Sequence, residues 1–186
     1  RNGAGQLVSP GEFLPAAERH GEILKIDCWV LWHYLQQACQ HPEHLAQLAF
    51  VDINVTGASL IHPDFRATLE RALTTFAFPW SKLTLEITET TAMHDADASL
   101  TVLQRLSDMG VDLSIDDFGT GYSSLMYLKR LPANELKIDR GFVRDLEQDS
   151  DDAAIVSAIV ALGQALDLRI VAEGVETSGQ RTFLTQ

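Results

Sequence analysis

Short apolar runs rich in β-branched residues alternate with longer amphipathic stretches along the chain. Strand candidates are Leu48 to Val55, Lys82 to Thr88, Val111 to Asp116, Glu135 to Ile138 and Leu168 to Ala172. Each reads as apolar almost throughout, as parallel strands covered on both faces do. Between them the pattern predicts helices at about 22–40, 62–77, 95–109, 122–130 and 151–167. The acidic run Asp149-Ser150-Asp151-Asp152 suits the start of the last one, by capping and by the helix dipole, better than it suits a metal site. Repeated βα units imply a parallel sheet with right-handed crossovers, either open and doubly wound or closed into a barrel. A dinucleotide-binding sheet would carry Gly-x-Gly-x-x-Gly after a strand. The nearest segment, Gly119-Thr120-Gly121-Tyr122-Ser123-Ser124, lacks the third glycine.

What repeats along the chain is the position of polar residues. Most predicted strands end in an ionisable or metal-competent side chain: Asn54, Glu86, Asp116 with Asp117, Lys137 with Asp139, and Glu173. Taken through Asn54, Glu86, Asp116, Lys137 and Glu173, the spacings are 32, 30, 21 and 36 residues. A (β/α)₈ barrel of about 250 residues spends roughly 31 per unit, so these groups would converge on the rim where such barrels hold their sites. Converging carboxylates repel one another and pay desolvation unless they shift pKa or hold a hard cation. Oxygen-only ligands select Mg²⁺ or Mn²⁺ over zinc, and the pair Asp116-Asp117 suits a two-metal site. Lys137 lies between apolar neighbours inside its strand, which favours a site role as phosphate ligand or water-orienting group over an ordinary surface cation. Two chemistries fit these residues: metal-assisted phosphodiester hydrolysis, or enolate chemistry with Lys137 as base.

Composition narrows the partners. The 186 residues carry 14 basic and 26 acidic side chains, a formal net charge of −12, with 46% hydrophobic residues. That is one domain's worth of chain with enough apolar residues for a sizeable core. The acidity argues against a general binder of polymeric nucleic acid or anionic membranes, while a small phosphorylated ligand held through metals remains compatible. No apolar run approaches the roughly 20 residues of a membrane span, and Arg1 to Gly5 do not resemble a signal peptide. Cys28 and Cys39 share one predicted helix about 16 Å apart, beyond disulfide reach, and are expected as buried thiols in a reducing cytoplasm. The six histidines are scattered, and no pair has zinc-motif partners beside it.

Four segments carry a specific likeness: Leu85-Glu86-Ile87-Thr88-Glu89, the run Asp116-Asp117-Phe118-Gly119-Thr120-Gly121-Tyr122-Ser123-Ser124-Leu125, Leu136-Lys137-Ile138-Asp139, and Ala172-Glu173-Gly174-Val175-Glu176-Thr177. Together they resemble the EAL-domain family of bacterial cyclic di-GMP phosphodiesterases. The likeness extends from Pro10-Gly11-Glu12-Phe13 and Ala17-Glu18 through Asn54 to Gln180. It implies a modified TIM (β/α)₈ barrel that hydrolyses one phosphodiester of cyclic di-GMP to linear pGpG with two Mg²⁺ or Mn²⁺ ions. On this resemblance Asn54, Glu86 and Asp116 are metal ligands, Asp116 bridging, and Asp117 holds the second ion. Lys137 stands beside the nucleophilic water and Glu173 positions or deprotonates it. Glu89 anchors the loop from Asp117 to Ser124, Gly119 and Gly121 give that loop its permissive backbone, and Asp139 and Glu176 support the site.

The resemblance also implies a homodimer formed near that loop, a cytoplasmic domain in a parent that is in some members membrane-anchored, and adjoining diguanylate cyclase (GGDEF) or sensory domains. It places the signature Glu-Ala-Leu just before Arg1 and a distal glutamine motif beyond Gln186. Residues 1–186 are therefore expected as a barrel lacking its first and last strands, one that neither closes nor catalyses alone. Thr56 replaces the usual serine and keeps a hydroxyl. The alternative is a catalytically inactive domain that acts as a cyclic di-GMP receptor or protein-interaction module. The intact internal site residues favour the enzyme, and the motifs set the enolase-like reading aside.

Overall fold

The computed structural model describes residues 3–93, 96–121 and 125–185. Helices and strands follow one another as α1 (Pro10–Arg19), α2 (Ile23–Gln40), α3 (Pro42–Gln47), β1 (Val51–Asn54), α4 (Gly57–Leu60), α5 (Pro63–Phe76), β2 (Leu83–Thr88), α6 (Glu89–Met93) and α7 (Ala96–Asp108). They continue as β3 (Asp112–Phe118), α8 (Leu125–Leu128), β4 (Glu135–Ile138), α9 (Arg140–Asp145), α10 (Ser150–Ala165), β5 (Arg169–Ala172) and α11 (Ser178–Leu184). Two compact units result: 1–47 with 58–78, and 48–57 with 79–186.

In the first unit α2 and α5 pack together. α2 buries Ile23, Asp27, Leu31 and Leu35, one residue every four, and α5 offers Phe65, Leu69, Ala72 and Leu73. Trp32 meets Phe76 edge to face at 5.0 Å, and the Arg71 guanidinium lies 4.8 Å over the Trp32 ring. The sequence explains where α5 ends. The His62 ring accepts the Asp64 N–H, Pro63 follows with its φ preset, and Ala77 stops the helix in the left-handed region at φ 50°. Cys28 and Cys39, expected to be buried, are half-buried free thiols, because Cys28 flanks the buried stripe and Cys39 lies past its last turn.

The second unit holds the sheet. All four pairings are parallel and the strand order is β1-β2-β3-β4-β5. Each strand lies beside its sequence neighbour, so the sheet has no point where the order reverses, which a doubly wound sheet requires. It is a barrel-type arrangement with fewer strands than the eight of a full barrel. β4 spans Glu135–Ile138 as read from the sequence. β1 starts at Val51 rather than Leu48, and β3 runs on to Phe118. Residues 122–124 of the predicted helix 122–130 lie outside the described residues, and the described part stops at Leu128, shortly before Pro132. The acidic run starts α10 as expected, with the Asp149 carboxylate accepting the N–H groups of Asp151 and Asp152.

The strands are not apolar throughout, and this corrects the sequence reading. Val51, Ile53, Leu83, Leu85, Ile87, Leu113, Ile115, Leu136 and Ile138 form one buried apolar face, on which α6, α7 and α10 pack. Each fully buried Leu or Ile there contributes about 2 kcal/mol. The alternate positions, Thr84, Glu86, Ser114, Glu135 and Lys137, are polar and also buried. They line the opposite, concave face. Runs of four to seven residues with strong hydrophobes at every second place look continuous when the intervening Thr and Ser are read as neutral.

A polar cluster ties the N-terminal end of the sheet. Buried Glu135 accepts from the Ser114 hydroxyl at 2.9 Å and faces the Arg169 Nε at 3.4 Å. Arg169 also reaches Asp112 at 3.2 Å and lies 5.4 Å over the Phe50 ring, just before β1. A side chain of β5 touching the approach to β1 requires the sheet to curl. Arg169→Met strands the Glu135 carboxylate and is expected to destabilise the protein by about 2 kcal/mol, below the buried-pair range because Arg169 is half exposed. Urea unfolding of both proteins at matched m-values checks this, and an unchanged midpoint contradicts it.

Candidate active site

Strand register builds the site. Asn54 is the pairing partner of Glu86, and Thr88 that of Asp116. The parallel ladder therefore brings their side chains to one end of the concave face. Between β3 and β4 the register slips: Ile115 pairs with Leu136, but Phe118 pairs with Ile138. Asp116 and Asp117 together oppose the single residue Lys137, which is a β-bulge. Asp117 sits at φ 54°, an uncommon conformation for a residue with a side chain, and its N–H donates to the Asp116 carboxylate at 3.0 Å.

At the centre lies the Lys137 ammonium. It meets Glu173 Oε1 at 2.6 Å, Glu86 Oε1 at 2.9 Å and Asp116 Oδ1 at 3.3 Å, and the other Glu86 oxygen accepts from the Asn54 amide at 2.9 Å. Burial alone would lower the Lys137 pKa, but its hydrogen bonds to Glu173 and Glu86 and the charges of Glu86 and Asp116 outweigh this and hold it above the usual lysine range. Lys137 is thus a fixed cation. Glu86 is pushed up by burial against the opposing pull of Lys137. Asp117 is raised by burial, by the charges of Asp116 and Asp139, by its hydrogen bond with Asp139 and by the charge of Glu173. The site holds more negative charge than one ammonium offsets. Its donors are carboxylate and amide oxygens, which suit a hard divalent cation. Glu173 is a third exposed and so within reach of solvent.

The loop after β3 is tied to the sheet. Both oxygens of Glu89 lie beside it, and Oε2 accepts from the N–H of Gly119 at 2.8 Å and of Gly121 at 3.3 Å. The glycines serve different ends. Gly119 adopts φ 101°, and a Cβ there would also lie 2.9 Å from Phe142. At Gly121 a Cβ would come within 2.8 Å of Glu89. Asp139 caps α9 by accepting the Gly141 N–H at 2.8 Å. Glu176 shares a cleft with Asp139, the hydrogen-bond partner of Asp117. It is exposed, its N–H donates to Gln180, and it lines a cleft of about 550 Å³ with Asp139, Arg140, Gly141, Arg144 and Gly174. The sequence reading did not single out Gln180, which is buried and holds the turn through the N–H groups of Glu176 and Thr177. Its place three residues after the helix-capping Thr177 was the available signal.

Comparison with known proteins adds the kinship. Over 184 residues the chain is 54% identical to the bifunctional diguanylate cyclase/cyclic di-GMP phosphodiesterase MucR of Pseudomonas aeruginosa, covering 97% of this chain and 26% of that protein. The chain spans about a quarter of the length of the curated relatives it matches. Among solved structures, the PaMucR phosphodiesterase in complex with c-di-GMP superposes with a TM-score of 0.88 at 55% identity, covering 96% of this chain and 78% of that one. The calcium/cyclic di-GMP complex of Klebsiella pneumoniae BlrP1 gives a TM-score of 0.83 at 31% identity, covering 95% of this chain and 44% of that one. The EAL domain family model matches residues 1–186. With the barrel-type sheet and its acidic rim, this match establishes that the chain belongs to the EAL domain family.

Proposed function

We propose that this chain is the catalytic region of a cyclic di-GMP phosphodiesterase, which hydrolyses one phosphodiester of the cyclic dinucleotide to linear pGpG. The observation that carries the reading is Lys137 held among Glu86, Asp116 and Glu173 beside Asn54 and Asp117, in a chain whose relatives include named cyclic di-GMP phosphodiesterases. The oxygen donor set fits Mg²⁺ or Mn²⁺. Asn54, Glu86 and Asp116 would hold one ion, and Asp117, with Asp116 shared, a second. Bound there, the metal supplies charge neutralisation and a more acidic water.

The chain's own residues do the rest. Glu173, partly exposed and oriented by Lys137 at 2.6 Å, accepts a proton from the attacking water. A phosphorus–oxygen bond forms to that water as the bond to the ribose oxygen breaks. The ribose oxygen takes up a proton from solvent to become a free hydroxyl of linear pGpG, and Glu173 releases its proton to solvent. The Lys137 ammonium, paired with Glu173 at 2.6 Å, stabilises the negative charge that develops. The Glu89 carboxylate keeps the Gly119–Gly121 loop in place over the bulge.

The reading extends to a homodimer, to a parent with an adjoining diguanylate cyclase domain, and to a cytoplasmic location of this domain. No helix among the described residues is long and apolar enough to cross a membrane. The test is turnover of cyclic di-GMP by the parent protein with Mg²⁺, Mn²⁺ or Ca²⁺, following pGpG by chromatography. Appearance of pGpG with Mg²⁺ or Mn²⁺ is expected. Tight nucleotide binding without pGpG in any metal overturns hydrolysis and leaves a receptor.

A further inference from the structure

Two of the six histidines, His41 and His44, come together at a place where the sequence pattern predicts no histidine metal site. His41 ends α2, and the chain turns there at φ −126° and ψ 68°. Pro42 opens α3 at once, which carries Glu43 and His44 back beside His41. The His41 and His44 rings stack with centroids 5.4 Å apart and planes inclined by 27°. Glu43 Oε1 lies 3.6 Å from His41 Nδ1, and one ligand atom of each of the three residues lies within 4.8 Å of the others.

We propose that His41, Glu43 and His44 form a site for an imidazole-preferring divalent transition cation, Zn²⁺ or Cu²⁺, chemically separate from the oxygen-only rim. Two imidazoles and one carboxylate select these ions over Mg²⁺ and Ca²⁺. Tetrahedral zinc with bonds near 2.0–2.1 Å places its ligand atoms about 3.3 Å apart, so the three side chains must close by about 1.5 Å at most. Their exposure permits this through rotamer changes alone, since His41 and Glu43 are each 61% exposed and no core packing opposes the motion. Three protein ligands leave the fourth position to water or an outside ligand. Because His41 belongs to the end of α2 and the other two to α3, a bound ion would also pin the junction between those helices.

The test is calorimetric titration of the parent protein with Zn²⁺ in saturating Mg²⁺, which keeps the oxygen rim filled, beside the exposed single variants His41→Ala and His44→Ala and the double variant. One Zn²⁺ per chain is expected beyond any bound by the double variant, weakening by about tenfold or more in each single variant. Cu²⁺ should give a paramagnetic resonance spectrum with two-nitrogen coupling that the double variant lacks. Zn²⁺ should raise the melting temperature most in the unchanged protein, less in the single variants and least in the double variant, while metal-free melting stays the same in all of them. Equal zinc stoichiometry in the double variant, or binding seen only at millimolar metal, overturns the site.

Discussion

Asp116→Asn is expected to lower cyclic di-GMP turnover by more than about a hundredfold, chiefly through lost metal binding. The substitution is nearly isosteric, and an amide oxygen can still accept the Asp117 N–H that now reaches Asp116 at 3.0 Å. The bulge should therefore persist. What disappears is the charge that two ions would share, at a position where the Lys137 ammonium already stands 3.3 Å away. Calorimetric titration with Mg²⁺ and the pGpG assay should fail together, and Glu86→Gln should follow the same course. Asp112→Asn is the control: it lies on the same strand but faces Arg169 at the other end of the sheet, so stability should fall while turnover at saturating Mg²⁺ holds. Wild-type turnover of Asp116→Asn at saturating Mg²⁺ would remove that residue from the metal site.

Lys137→Met should be as damaging to turnover, again more than about a hundredfold, but with the opposite effect on metal. The ammonium is the shared counter-charge of Glu86, Asp116 and Glu173, and its own side chain is 11% exposed. A thioether of similar length leaves three carboxylates facing one another. The metal-free protein should lose about 3 kcal/mol, the lower end of the range for breaking a buried charge network. Divalent cations should then bind at least as tightly as in the unchanged protein, since the competing positive charge has gone, and should restore more of the melting temperature. Metal binding lost alongside turnover would show Lys137 to be part of the support for the ligands rather than a separate catalytic cation.

Much of this site was readable before the fold was known, because strand ends announce themselves by period. Asn54 closes β1 and Glu173 follows β5, while Glu86, Asp116 and Lys137 lie one or two places before their strand ends, and parallel pairing does the convergence. The polar concave face was not readable in the same way. Thr84 and Ser114 interrupt their strands with small side chains that hydropathy scores as nearly neutral, and the partner that satisfies buried Ser114, Glu135, lies on a neighbouring strand. The Glu135–Arg169 pair joins residues 34 apart, so no local pattern marks it. α3, α6 and α9 have five or six residues each, too few for a helical period to appear. The register slip between Ile115 and Phe118 carries no compositional signature, since two adjacent aspartates read equally well as a strand end or a helix cap.

That slip makes the acidic pair a matter of chain length. Phe118 pairs with Ile138 and Ile115 with Leu136, so removing one aspartate would leave the remaining one opposite Lys137 in an unbroken ladder. The shortened chain would lose a residue held at positive φ and gain a regular strand. It would be a more regular sheet, with a single carboxylate where the proposed two-ion site has two. In this part of the protein one extra residue, rather than a choice of side chain, separates regular ladder from acidic pair.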